Sequence, residues 1–101
     1  MTAPFDKVSE YLKLVENDDY KIEFRWIDKK TFASIESEKS RISINLNLII
    51  TYMFTHEILH SEYPKVKETF VEKKTEEFID KMTVKEIKKL ARRILKNTLT
   101  T

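Results

Sequence analysis

The chain has 101 residues, enough for one modest core and too few for two, and its 19 basic and 17 acidic residues leave a net charge of only +2. Both signs are dense and interspersed, so no broad single-sign field exists to attract an acidic partner. There is no cysteine and no glycine, which excludes disulfide frameworks, thiolate metal sites and every glycine-rich phosphate cradle.

The lack of cysteine fits a reducing cytoplasm, and the enrichment in Lys, Glu and Ile resembles the usage of thermophiles. No run of about 18 apolar residues is present to span a bilayer. Residues 1–17 carry acidic groups where a secretion signal needs a basic start and an apolar block. The expectation is an intracellular protein without a membrane partner, folded as a single domain over residues 1–101.

Pro4, followed by Phe5, Val8, Tyr11, Leu12 and Val15 at three- and four-residue spacing, predicts an amphipathic helix over about Pro4 to Glu16. Turns that need a positive φ must use Asn or Asp, as at Asn17-Asp18-Asp19 and Asp28. Tyr20 to Ile27 alternates by twos, with Ile22, Phe24 and Trp26 on one face, and predicts a strand. Asp28-Lys29-Lys30 makes a turn, Thr31 to Glu36 a second strand and Ser37-Glu38-Lys39 a hairpin connection. Ser40 to Leu46 then forms a third strand with Ile42, Ile44 and Leu46 inward.

Helical periodicity resumes from about Asn47, which can cap a helix ending near Glu62; this segment is apolar almost all round and is expected to be buried. Tyr63-Pro64 breaks it, because proline disfavours helical geometry in the residue before it. A third helix is expected over roughly Val66 to Lys81, and Thr83 can cap a fourth running to about Asn97. The fold class is therefore α+β: an N-terminal helix, a three-stranded sheet, a buried helix and two further helices.

The buried helix carries the chemistry. His56-Glu57-Ile58-Leu59-His60 holds both histidines of the chain, one helical turn apart on the same face. Two imidazoles at this spacing converge on one ion while Glu57, about 100° round the helix, reaches its open side, which is the construction of a zinc hydrolase site. Burying His, Glu and His without partners is costly, and a metal removes that cost. A catalytic zinc needs a third protein ligand, and with no other His and no Cys it must be Asp or Glu. Glu68, Glu72, Glu76, Glu77 and Asp80 follow on the next helix. Glu68 is only eight residues after His60, which leaves little chain for the reversal at Pro64, so Glu72 is favoured and Glu76 comes second.

With these features the chain resembles the gluzincin metallopeptidases, most closely the minimal single-domain archaeal members called minigluzincins. In that clan an H-E-x-x-H helix is followed by a second helix that supplies a glutamate ligand, often with an acidic residue one turn on, and Glu72 with Glu76 looks like that pair. The resemblance covers about Ser40 to Met82. It implies Zn²⁺ held by His56, His60 and Glu72, with Glu57 as general base toward a zinc-bound water, and a peptide or unfolded protein as substrate. It also implies that the strand before the active-site helix, Arg41, Ile42, Ser43, Ile44 and Asn45, is an exposed edge that takes up the peptide as an added strand. Minimal relatives are latent, so Met1-Thr2-Ala3 or Thr98-Leu99-Thr100-Thr101 is expected to lie over the metal in a zymogen. The chain is also similar to a Sprt-like group of zincins whose third histidine falls near Val66 here, a residue that cannot bind metal. For the oxyanion, Tyr52, Tyr63 or Tyr11 can supply a hydroxyl.

Two other readings compete. In one, zinc is a non-catalytic staple for a small binding domain, for which Glu57 is not needed. In the other, Lys85, Lys88, Lys89, Arg92, Arg93 and Lys96 form a basic stripe for nucleic acid. Ile87, Leu90, Ala91, Ile94 and Leu95 make that helix's core face, however, and no aromatic lies on the charged side to stack a base, so no nucleic-acid partner is expected.

Overall fold

A computed structural model describes residues 3–98, and within them the elements follow the expected α+β order. They are α1 (Pro4–Glu16), β1 (Lys21–Phe24), β2 (Ala33–Glu36), β3 (Arg41–Ile44), α2 (Leu46–Glu62), α3 (Glu68–Lys81) and α4 (Val84–Lys96). No described helix is long and apolar enough to cross a membrane.

The strands pair in the order β1-β3-β2, with β1 parallel and β2 antiparallel to β3. A single 3₁₀ turn, Ser37–Lys39, closes the β2–β3 hairpin and ends in Ser40 at φ 49°, so a serine takes a positive φ where only Asn or Asp was expected to. β1 stops at Phe24, earlier than the alternation predicts, because after Arg25 the chain leaves the sheet and carries Trp26 into the helical core. Asp18 takes the expected positive φ of 63°. Asp28 instead uses its carboxylate, which accepts from the Lys30 and Thr31 amides at 2.7 Å each and from the Thr31 hydroxyl at 3.1 Å.

Two sequence expectations about the sheet are corrected. β3 is the central strand, so the segment Arg41–Asn45 offers no free edge. Arg41 is also committed, its Nη2 donating to both Glu36 carboxylate oxygens at 2.8 and 3.0 Å and its Nη1 lying 3.5 Å from Glu23, so that one guanidinium ties all three strands together. Its inward face is the other one as well: Ser43 and Asn45 are fully buried, while Ile42 and Ile44 turn to the outer side and are only half-buried. Alternation separates the two faces of a strand, but it does not say which of them the helices cover.

The core is helical. α2 packs against both α3 and α4, and Leu48, Ile79 and Ile87 meet at its centre with Trp26, Tyr52 and Met82 around them. The Thr51 hydroxyl donates to the Ile87 carbonyl at 3.1 Å, which ties α2 to α4. Covered chiefly by α3 and α4, α2 keeps an open side on which Met53, Phe54 and Ile58 are exposed, so it is not buried all round as its composition suggests. Asn45 rather than Asn47 stands at its N-cap. The Asn45 amide donates to the Asp28 and Thr31 carbonyls at 2.8 and 3.0 Å and clamps the 28–31 loop to the start of the helix.

Thr83 caps α4 as expected, in a reciprocal capping box with Glu86. Thr83→Ala should cost about 1 kcal/mol, read as a lowered midpoint in urea unfolding. The backbone and hydroxyl of Thr83 hold the Glu86 carboxyl below its ordinary range, the Arg41 hydrogen bond does the same for Glu36, and the Asx turn for Asp28. Groups with depressed folded values stabilise fully above their unfolded values, roughly pH 4, and that contribution is lost as pH falls through the lowered ones. The urea midpoint should therefore drop between about pH 6 and about pH 3. The drop should be smaller in Glu36→Gln, and an equal drop in that variant would remove Glu36 from the explanation.

Candidate metal centre

α2 and α3 are joined by Tyr63–Lys67, where the Val66 amide reaches the Tyr63 carbonyl at 3.4 Å as the chain reverses. α3 begins at Glu68 and runs back along α2. The first residue after the reversal therefore faces the last turns of α2, which carry His56 and His60. Glu68 Oε1 lies 2.7 Å from His56 Nε2, and Glu68 Oε2 lies 2.8 Å from His60 Nε2. The two Nε2 atoms are 3.1 Å apart, with the rings edge to face at 4.7 Å.

His56, His60 and Glu68 are the group among the described residues able to hold a metal ion, with one ligand atom from each lying within 4.8 Å of the others. In a tetrahedral zinc site with bonds near 2.0–2.1 Å, ligand atoms stand about 3.3 Å apart, so a small outward movement of these side chains makes room for the ion. Each Nε2 also meets a Glu68 oxygen, at 2.7 and 2.8 Å, and if both carry a proton toward that carboxylate neither can accept from the other at 3.1 Å; a shared cation removes that conflict. The donor set of two imidazoles and one carboxylate suits zinc, and no fourth protein ligand joins it among the described residues. His56 is mostly buried, and its Nδ1 has no partner there.

The structure thus unites His56 and His60 as expected, but it brings Glu68, not Glu72, to them. The spacing objection to Glu68 fails because the helix restarts immediately after a five-residue link. A signal for it was present: Glu68, Val71, Thr75 and Ile79 lie in one stripe of α3, and the last three are buried. Glu72 and Glu76 continue along the helix toward Tyr52 and lie outside the metal group. Glu57 is exposed on the same turn as His56 and also lies outside it.

Of the three tyrosines, Tyr52 is the one stacked on a histidine of this group, with its ring 6.1 Å from that of His56 and 17° from coplanar. Burial, then the negative field of Glu76, Glu72 and Glu68, pushes its phenol up, so Tyr52 stays protonated and able to donate. Tyr63 packs edge to face on Phe70, and Tyr11 sits on α1 beneath Lys7. On its far side Tyr52 meets Phe32 edge to face at 5.1 Å. Together with Lys29, Lys30, Glu76, Ile79 and Asp80 these rings line a cavity of about 310 Å³. Lys29 Nζ donates to the Asp80 carbonyl at 3.0 Å across it.

Phe32 leads directly into β2, one of the two true edges of the sheet. The Asn45 backbone N–H donates to the Phe32 carbonyl at 2.8 Å, so Phe32, Ser34 and Glu36 are the residues hydrogen-bonded toward β3. Ala33 and Ile35 then direct their amides and carbonyls outward. The segments expected to cover the metal, residues 1–3 and 98–101, fall almost wholly outside the described residues. No family signature, no curated protein and no solved structure matches this chain.

Proposed function

We propose that this protein is a zinc-dependent metallopeptidase of gluzincin type, acting on peptides or unfolded protein segments. The observation that carries the reading is the closure of the Glu68 carboxylate on both His56 and His60, in a helix pair whose first member places Glu57 beside the first histidine. The glutamate pair expected of such an enzyme moves back one turn, to Glu68 as ligand and Glu72 one turn on.

Zinc, which His56, His60 and Glu68 would hold, would supply a Lewis acid and a water activated near neutral pH. Glu57 accepts the proton of the attacking water and returns it to the leaving amine. Tyr52, protonated and packed on His56, donates to the oxyanion as the carbonyl becomes tetrahedral. The substrate backbone pairs with the outward groups of Ala33 and Ile35, and one substrate side chain enters the cavity beside Tyr52. The reading of zinc as a plain staple has less support, because a structural zinc takes four protein ligands and the group here offers three.

Incubation with an unfolded, fluorescently labelled protein tests the proposal. Fragments should form in the presence of zinc, cease with a chelator and return when zinc is restored. Cleavage should be weak in the intact chain and stronger once residues 1–3 or 98–101 are removed. No cleavage by any zinc-loaded form would end the peptidase reading, and equal activity in all forms would end latency.

A further inference from the structure

Two apolar surfaces of this chain face solvent, and neither covers the other. On α1, Phe5 and Val8 are 81% and 68% exposed, Tyr11 and Leu12 are also exposed, and the helix contains no buried residue. It packs extensively against no other element. The second surface is the outer side of the sheet, where the strand registers place Ile22, Ile42 and Ile35 in one row and Phe24, Ile44 and Ala33 in the next. Phe24 and Ile35 on that side are 70% and 57% exposed.

The cost of this arrangement is visible in the whole molecule. The radius of gyration is 16.6 Å, against about 13 Å for a compact domain of this length. The accessible surface is 8195 Å², where a compact chain of 12.1 kDa presents roughly 6,000 Å². The excess, about 2,000 Å² per chain, is what each partner loses in a large, permanent dimer interface. The apolar side chains exposed on α1 and on the outer side of the sheet mark that excess as an interaction site.

The two surfaces match in size. Three strands span about 10 Å between the outer pair, close to the diameter of one helix. The turn between α1 and β1 is locked: the amides of Asp18, Asp19 and Tyr20 bond back to the carbonyls of Val15 and Leu14, with Asp18 at φ 63°. It holds α1 off its own sheet. Each copy of the chain therefore carries both halves of one contact, which a two-fold exchange satisfies twice over.

We propose that this chain is a homodimer in which α1 of each copy lies across the outer, apolar face of the other's sheet. The metal centre is not involved, so the inference stands apart from the peptidase reading.

Light scattering on the full chain should give twice 12.1 kDa. A charge in either surface, Val8→Glu or Phe24→Glu, should weaken the dimer by about 100-fold while leaving the circular dichroism spectrum intact, since both positions are exposed in the single chain. The absence of cysteine permits a direct test of geometry. A Val8→Cys chain mixed with a Phe24→Cys chain should form a covalent heterodimer with a short thiol cross-linker, whereas neither alone should cross-link. A mass of 12.1 kDa even at high concentration would overturn the proposal. So would cross-linking of either single variant with itself but not of the mixture, or an intrachain link in the double variant, which would mean that α1 folds onto its own sheet.

Discussion

Glu68→Ala should lower zinc affinity by more than about 100-fold, the upper end of what losing a merely supporting contact around a metal costs, while Glu72→Ala should leave it nearly unchanged. The expectation follows from the contacts of 2.7 and 2.8 Å that a single carboxylate makes to the two ring nitrogens. Removing it leaves two imidazoles one turn apart, a pair that lacks the third protein ligand a catalytic zinc requires. Glu72 lies one turn further along α3, where its charge acts on Tyr52. Competition for zinc against a chromophoric chelator measures both variants on one scale. If the order were reversed, with Glu72→Ala the weaker binder, the ligand would be the residue that spacing alone favours.

Glu57→Gln is expected to separate binding from catalysis. The amide has the shape of the carboxylate and cannot accept a proton from water, so turnover should fall by about 10²- to 10⁴-fold, the range that general base catalysis supplies. Zinc affinity should stay within a few-fold, because Glu57 lies outside the group of ligand atoms. Parallel measurement of zinc binding and of peptide cleavage decides the matter. A variant that keeps its activity would return the site to a structural role, and one that loses its zinc would make Glu57 a ligand.

Both outcomes depend on the rigidity of α2. Its buried side is held by Leu48 in the core and by the Thr51 hydroxyl on the α4 carbonyl, and its start is fixed by Asn45 on the 28–31 loop. The same loop leads to Phe32, which braces Tyr52, which in turn braces His56. The sheet therefore reaches the candidate metal centre through a short line of aromatic rings, and its β2 edge begins at the end of that line.

Much of this was legible from the residues alone. The four-residue spacing of His56 and His60 puts them on one face of any helix, and the buried stripe of α3 and the capping box at Thr83 are equally local signals. The class of ligand was forced by composition, since no residue types but Asp and Glu remained to complete the site. Three things were decided only when the chain folded. Which carboxylate meets the histidines depends on how tightly Tyr63–Lys67 turns, and that turn is tighter than Pro64 suggests. Which strand is the edge depends on β1 pairing in parallel with β3 across the intervening hairpin. Which face of the sheet looks inward depends on where the helices settle, and they cover Ser43 and leave Phe24 and Ile35 open. Periodicity is a property of neighbours along the chain and specifies faces, whereas the pairing of faces across space is set by links and packing that no short window of sequence contains.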